Sequence, residues 1–219
     1  MQTRGLFNEE LQQIRRELTL MSLRVEEDLG KALAVLRSGD MELVEEVLES
    51  GKIVDALHLR IEDMALVLIA TQQPVASDLR ELITVFKISS SLERIGDYGV
   101  HLVRAAVKLS RRASFRSMER IERMVETGQA MLKQAFSAYL ARDASAAREA
   151  AALDKKIDEE HKALTEEVLS LIKRQPELVK PAARVLRLSG NMERLGDHIT
   201  NICEGIVFMT ECSHEELND

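Results

Sequence analysis

The stretch 92–98 reads LERIGDY, and one hundred residues later the stretch 192–198 reads MERLGDH. Both copies place a glutamate and an aspartate four residues apart, with a glycine just before the aspartate. The match extends outwards at the same offset, because Val85 corresponds to Val185 and Val107 to Val207. Self-similarity at one offset over this length predicts that the chain is an internal duplication.

The segments upstream of the two copies also match, at an offset of 103, which pairs Asp55 with Asp158 and His58 with His161. The three-residue difference falls in the intervening loops, where 72–77 is longer than Gln175-Pro176. Loops are where insertions are tolerated, so a change of offset confined to a loop is typical of a genuine repeat. We therefore predict a first repeat over residues 1–113 and a second over 114–219.

Composition and periodicity favour an all-α fold. Aromatic residues make up 3% of the chain and tryptophan is absent, whereas sheets are usually enriched in aromatic and β-branched residues. Apolar residues recur every three or four positions, as in the second segment with Val54, Leu57, Ile61, Met64, Ala65 and Leu68. This spacing is typical of amphipathic helices that bury one face. It predicts two tandem, pseudo-symmetric three-helix bundles, built from six long helices.

The breaks between these helices follow local chemistry. Ser38-Gly39-Asp40 predicts a helix end followed by a new N-cap, and Gln73-Pro74 and Gln175-Pro176 each predict a helix end. A polar break is expected at 114–117, and the polar tail 212–219 is expected to fray. The predicted helices are 8–37, 40–70, 77–111, 118–141 and 144–174, with a sixth that ends near 211.

The charge balance narrows the choice of partners. Thirty basic against thirty-seven acidic residues give a net charge of −7, which disfavours nucleic acid and anionic lipid as ligands. The longest uncharged apolar run, 64–70, is too short for a transmembrane helix, which needs about 20 residues, and the N-terminus lacks a signal core. The prediction is a cytoplasmic protein without direct membrane insertion. Neither a catalytic triad motif nor a phosphate-binding loop occurs, so no enzymatic activity is expected.

The paired acidic residues are the candidate site. On the third helix Glu93 falls at the edge of the apolar stripe, with Asp97 one turn further on, and Glu193 and Asp197 repeat this on the sixth. Carboxylates beside apolar surface are costly unless they are paired or hydrogen-bonded, and two acids one turn apart repel each other. Hard divalent or trivalent cations prefer oxygen ligands. The pattern therefore predicts one metal site in each repeat.

The preceding helix of each repeat adds a DxxH pattern, Asp55-Ala-Leu-His58 and Asp158-Glu-Glu-His161. An aspartate and a histidine three residues apart share a helical face. We favour Asp55 and Asp158 as metal ligands over the histidines, which lie near the apolar stripes and have a packing role as the alternative. A second alternative is that Glu93 pairs with Arg94, Lys87 or a neighbouring helix and binds no metal.

With these motifs the sequence resembles the PhoU family. The resemblance covers nearly the whole chain and rests on the two ER(I/L)GD motifs together with PVASDLR at 74–80, while 176–184 lacks an equivalent DLR. It implies two three-helix bundles that form a homodimer and bind metal ions such as iron, zinc, manganese or magnesium on the motif carboxylates. It also implies a negative regulator of phosphate uptake and phosphate-starvation signalling. The implied partners are the ATPase subunit of the phosphate ABC transporter and a sensor histidine kinase.

Two other functions remain open from the residues alone. A ferritin-like di-metal carboxylate oxidoreductase also combines acidic and histidine ligands on helices, although its usual ligand beside the histidine is glutamate. A metal-free structural adaptor would use the same bundle without any cation.

Overall fold

The computed structural model describes residues 2–109 and 117–218. That part of the chain is helical with short connections and contains no strand, which confirms the all-α prediction. A short 3-10 turn, Pro176–Leu178, precedes the last helix. The helices are α1 (Gln2–Ser38), α2 (Met41–Gln72), α3 (Ser77–Leu109), α4 (Ser117–Ala141), α5 (Ala144–Ala151), α6 (Asp154–Arg174) and α7 (Val179–Glu211).

The residues predicted to end and cap helices explain the boundaries of α1 and α2. Gly39 has a φ of 72° after α1, and the Asp40 side chain accepts a hydrogen bond from the backbone N–H of Glu42 at 2.9 Å, as an N-cap does. Gln73 adopts the left-handed conformation, and its N–H bonds to the Ile69 carbonyl just before Pro74. The break predicted at 114–117 lies mostly outside the described residues, which resume with Ser117 in α4.

One predicted helix is wrong in part, because the fifth segment is interrupted at Ala152-Leu153 and forms α5 and α6. The N–H of Leu153 bonds to the Ala150 carbonyl at 3.1 Å, which is the tighter i to i+3 pattern of a 3-10 turn. The turn separates α5 from α6 and makes Asp154 the first residue of α6. The sequence there contains neither glycine nor proline, so the usual signal for a break is missing.

The two sets of helices meet along α3 and α7, which lie side by side. Near the start of α3, the Thr84 hydroxyl donates to the Gly205 carbonyl at 3.2 Å. Further along, the ring of Tyr98 lies 5.9 Å from the ring of His198. From the first contact to the second, the residue number rises along α3 and falls along α7, so the two helices are antiparallel. Because residues 98 and 198 are equivalent in the two repeats, the pseudo-symmetry axis passes near this contact. The predicted boundary at 113–114 falls outside the described residues.

The tail does not fray as predicted. It folds back on α7, where the backbone N–H of Leu217 donates to Glu204 Oε1 at 2.9 Å and the His214 ring stacks on Phe208 with 4.4 Å between centroids. Arg148 on α5 pairs with both Glu211 and Glu215. These contacts outweigh the polar composition that predicted fraying. Among the described helices, none combines the length and apolarity needed to span a membrane.

Candidate metal centre

Three carboxylates of the first repeat, all of them candidate ligands from the sequence, lie close together. Asp55 on α2 and Glu93 and Asp97 on α3 each place one oxygen so that all three oxygens lie within 4.8 Å of one another. Asp55 is exposed, and the other two are partly buried. Within residues 2–109 and 117–218 this is the only group of three or more acidic, histidine or cysteine side chains with that spacing. Carboxylate oxygens are the type of ligand that a hard cation prefers, and water would complete its coordination.

Close contact between α2 and α3 brings Asp55 to the pair on α3. Val54, next to Asp55, packs against Gly96, where an added Cβ would lie 3.3 Å from Val54 Cγ1. Glycine at 96 therefore lets the two helices approach closely enough for their carboxylates to meet. This close packing is a physical reason for glycine inside a helix, where it otherwise costs about 1 kcal/mol relative to alanine.

The first site concentrates negative charge beside one arginine. Burial raises the pKa of Glu93, and the neighbouring Asp97 raises it further. Arg94 lies 3.3 Å from Glu93 and 3.6 Å from Asp97, with its side chain 57% exposed. The arginine pairing considered from the sequence is therefore present. Lys87, the other basic residue considered, lies over the Phe208 ring instead.

The two DxxH histidines share one environment. His58 Nδ1 lies 2.7 Å from the Ser89 hydroxyl, and His161 Nδ1 lies 2.8 Å from the Ser189 hydroxyl. His58 Nε2 also lies 3.7 Å from Glu62. A repeated serine contact accounts for both histidines through packing and hydrogen bonding. Ser89 and Ser189 match at the offset of 100, so the sequence carried a signal for these partners.

The second site is built from the same elements and has a different arrangement. Burial raises the pKa of Glu193 on α7, and the neighbouring Asp197 raises it further. Burial also raises the pKa of Asp197, and Asp158 on α6 adds to this effect. In the described residues these three carboxylates do not form a group with the close oxygen spacing of the first site. Asn218 of the tail donates to Asp197 Oδ1 at 3.3 Å.

Asp154 is a residue of the second site that the sequence analysis missed. It is 7% exposed, and burial, together with Asp158 and Asp197, raises its pKa to about 7. Its Oδ2 is 3.5 Å from the Thr200 hydroxyl, while Oδ1 has no hydrogen-bond partner among the described residues. A Cβ added to Gly196 would overlap this carboxylate. The one signal in the sequence was its position one turn before Asp158, and the offset of 103 pairs it with Gly51, which gives no support.

A duplicated bundle of long helices, with acidic residues on α2 and α3 in one half and on α6 and α7 in the other, defines a class of paired-repeat helical proteins. The family model described as PhoU domain matches residues 18–106 and 121–206, one match in each half. The chain belongs to this family, which confirms the resemblance.

Individual relatives extend over nearly the whole chain. The "Phosphate-specific transport system accessory protein PhoU homolog" of Caulobacter vibrioides is 34% identical over 96% of this chain and 91% of its own length. The homologue of the same name from Clostridium acetobutylicum is 29% identical over 99% of this chain and 100% of its own.

Solved structures show the same fold. The crystal structure of PhoU from Pseudomonas aeruginosa has a TM-score of 0.90 at 29% identity, covering 94% of this chain and 100% of that one. The crystal structure of the phosphate transport system regulatory protein PhoU from Streptococcus pneumoniae has a TM-score of 0.87 at 29% identity, covering 95% and 99%.

Proposed function

We propose that this chain is a metal-binding negative regulator of phosphate uptake and phosphate-starvation signalling. It acts in the cytoplasm by binding rather than by catalysis, as an adaptor between the ATPase subunit of a phosphate ABC transporter and a sensor histidine kinase. Support for the transport role comes from the relatives named as accessory or regulatory proteins of phosphate transport. In this proposal the functional unit is a homodimer.

The convergence of Asp55, Glu93 and Asp97 carries the metal part of the proposal. Three carboxylates in this space repel one another, and a divalent or trivalent cation such as iron, zinc, manganese or magnesium removes that repulsion and supplies the positive charge between α2 and α3. In the second repeat Asp158, Glu193 and Asp197 are the corresponding ligands. A cation that joins two helices can select one packing of the bundle, and partner binding then depends on that packing.

Metal content of purified protein tests the proposal. We expect bound metal, measured by elemental analysis after purification without chelator, to be lost when Glu93, Asp97, Glu193 and Asp197 are all replaced by alanine. A matched control replaces four exposed glutamates outside the sites, Glu9, Glu45, Glu119 and Glu166, and is expected to retain the metal. Equal metal content in the two variants contradicts the metal site.

The regulatory role needs a separate measurement in cells. A strain that lacks this chain is expected to express a phosphate-starvation reporter in phosphate-replete medium, and the wild-type chain is expected to silence it. The four-alanine variant should fail to silence the reporter, while the control variant should succeed. A reporter that stays silent without the chain contradicts negative regulation.

The metal-free adaptor is the second candidate, and one observation favours it. Arg94 contacts both Glu93 and Asp97, so a basic side chain already offsets part of their charge. Because Arg94 is mostly exposed, this pairing is worth little, about 0–1 kcal/mol. Elemental analysis separates the two candidates, since the metal-free adaptor retains no metal in any variant.

A further inference from the structure

One cavity of the molecule is lined by basic residues, in contrast to the two acidic sites. It has a volume of about 340 Å³ between the second half of α3 and the first half of α7. Leu188 forms part of its apolar lining, and none of the lining residues in the described part of the chain is acidic. Five basic residues surround it: His101, Arg104, Lys108, Arg184 and Arg187. This concentration of positive charge stands in a chain whose net charge is −7.

These basic side chains lack the partners that other arginines of the chain have. Arg37, Arg120 and Arg148 each pair with two carboxylates. In contrast, none of the five cavity residues forms an ion pair with any acidic residue in the described part of the chain. Residues 110–116, which follow α3 in the sequence, contain neither aspartate nor glutamate. Like charges held together without counter-charge repel one another, and an anionic ligand would relieve that repulsion.

The equivalent groove in the other half shows that packing α3 against α7 does not require these charges. At the offset of 100, Arg104 corresponds to Glu204 and Lys108 to Phe208. The tail covers that groove, because Leu217 bonds to Glu204 and His214 stacks on Phe208. Of two positions related by the pseudo-symmetry, one is covered by the chain itself. The other carries, around a cavity, basic side chains that form no ion pair with an acid among residues 2–109 and 117–218.

We propose that this cavity binds a small-molecule oligophosphate, a ligand with two or more linked phosphate groups. Arginine guanidinium groups bind phosphate oxygens in pairs, and lysine adds a point charge. Four permanently charged side chains match the charge of a triphosphate better than the charge of one orthophosphate. The volume falls in the usual range for small-molecule sites, about 300–1,000 Å³. This inference does not depend on the metal sites.

Calorimetric titration of the full chain with inorganic tripolyphosphate tests the proposal. The protein is first freed of metal with chelator and dialysed, because oligophosphates bind divalent cations themselves. Binding with one tripolyphosphate per chain is expected, and affinity should fall as salt concentration rises. The double variant R104Q/R187Q should weaken binding at least tenfold. The control K52Q/K133Q makes the same change of charge at exposed positions on other helices and should leave the affinity unchanged.

Three outcomes would overturn the proposal. The first is no saturable binding of tripolyphosphate by the wild-type chain. The second is equal weakening in R104Q/R187Q and K52Q/K133Q, which would show a general charge effect. The third is orthophosphate binding as tightly as tripolyphosphate, which would reduce the site to a single-phosphate site. A parallel experiment uses vesicles that contain anionic lipid in place of tripolyphosphate. If only the vesicles bind, and R104Q/R187Q weakens that binding, the cavity contacts a membrane surface and the proposal is wrong. Circular dichroism of both variants shows whether each one is folded.

Discussion

The two acidic sites use equivalent positions but differ in how their carboxylates are arranged. In the first repeat Asp55, Glu93 and Asp97 point one oxygen each into a shared space. In the second, the corresponding Asp197 accepts a hydrogen bond from Asn218 of the tail, and the additional carboxylate of Asp154 is buried nearby. Duplication has therefore preserved the positions of these acidic residues in the sequence without preserving their charge environment.

The difference traces to two substitutions on facing helices. Where the second repeat has Asp154 beside Thr200, the first has Gly51 beside Val100, and these pack directly, with an added Cβ on Gly51 lying 3.0 Å from Val100 Cγ2. The first repeat thus fills this region with apolar contact and has no carboxylate at the position equivalent to Asp154. The second buries a carboxyl whose pKa of about 7 lets it carry a proton near neutral pH. The first site is expected to bind a cation more tightly.

Site-specific double variants should show the largest effect. We expect E93A/D97A to weaken binding of Mn²⁺ or Zn²⁺ at the tightest site by at least about 100-fold. The reason is that loss of a residue that merely supports a metal ligand already costs about 10- to 100-fold in affinity, and this variant removes two ligands themselves. E193A/D197A should change that affinity by less than about 10-fold. Competition with a chelating dye measures both, and each variant is the control for the other. A larger loss in E193A/D197A would reverse the order of the two sites.

Replacing Asp154 by asparagine should stabilise the metal-free protein at high pH. The folded-state pKa of Asp154, about 7, is above its ordinary value of 3.8, so the folded chain holds a proton that the unfolded chain releases. Stability from this group is therefore full below pH 4 and is lost as the pH rises to about 7. D154N should gain on the order of 2–4 kcal/mol at pH 8 and little at pH 4.

Urea unfolding with chelator present measures the effect of D154N at both pH values. The matched control is D63N, which makes the same change at an exposed aspartate on α2 and should alter stability little at either pH. A stability difference between D154N and wild type that does not vary with pH would contradict the buried, protonated carboxyl.

The motif glycines should respond unequally to alanine. Alanine gains about 1 kcal/mol over glycine in a helix, but overpacking a core costs about 1–3 kcal/mol. At Gly96 the nearest atom is Val54 Cγ1 at 3.3 Å, whereas at Gly196 the new Cβ overlaps the Asp154 carboxylate and meets Ile157 Cδ1 at 3.2 Å. We expect G196A to destabilise by about 1–2 kcal/mol and G96A to be near neutral in thermal or urea unfolding.

A second substitution sharpens the glycine comparison. D154G gives the second repeat the residue that the first has at this position, Gly51, and removes the side chain that opposes the new methyl group. The cost of G196A measured in the D154G background should therefore be smaller than in the wild type. An unchanged cost would place the overlap elsewhere, for instance at Ile157.

The sequence predicted the fold because the fold depends on repeated patterns, and the same patterns singled out the acidic residues of the candidate site. Periodicity and capping residues located the long helices, and the two offsets drew attention to Asp55, Glu93 and Asp97 because each has an acidic counterpart in the other repeat. Asp154 was missed because its counterpart is Gly51, so the repeat itself argued against it. The turn at Ala152-Leu153 was missed because alanine and leucine are good helix formers. The docked tail depends on tertiary contacts of Leu217 and His214 that its polar composition conceals.

The smallest expected effect concerns the arginines that follow the motif glutamates. Arg94 pairs with Glu93 and Asp97, whereas Arg194 forms no ion pair with an acid in the described residues. Arg94 competes with a cation for the same two carboxylates, so R94Q should raise metal affinity at the first site by about 2- to 5-fold, the range expected of an exposed pair worth up to 1 kcal/mol. R194Q should change affinity less. Chelator competition again measures both.

R94Q also decides whether Arg94 or a metal ion is the partner of the carboxylates in the first site. If a cation is the physiological partner, R94Q lowers stability slightly in chelator and the added metal restores it, because the ion replaces the lost positive charge. If Arg94 is the partner, R94Q leaves metal binding unchanged and lowers stability equally with and without metal. The second result would mean that Arg94, and no metal ion, balances the charge of Glu93 and Asp97. The proposed difference in metal affinity between the two sites would then disappear.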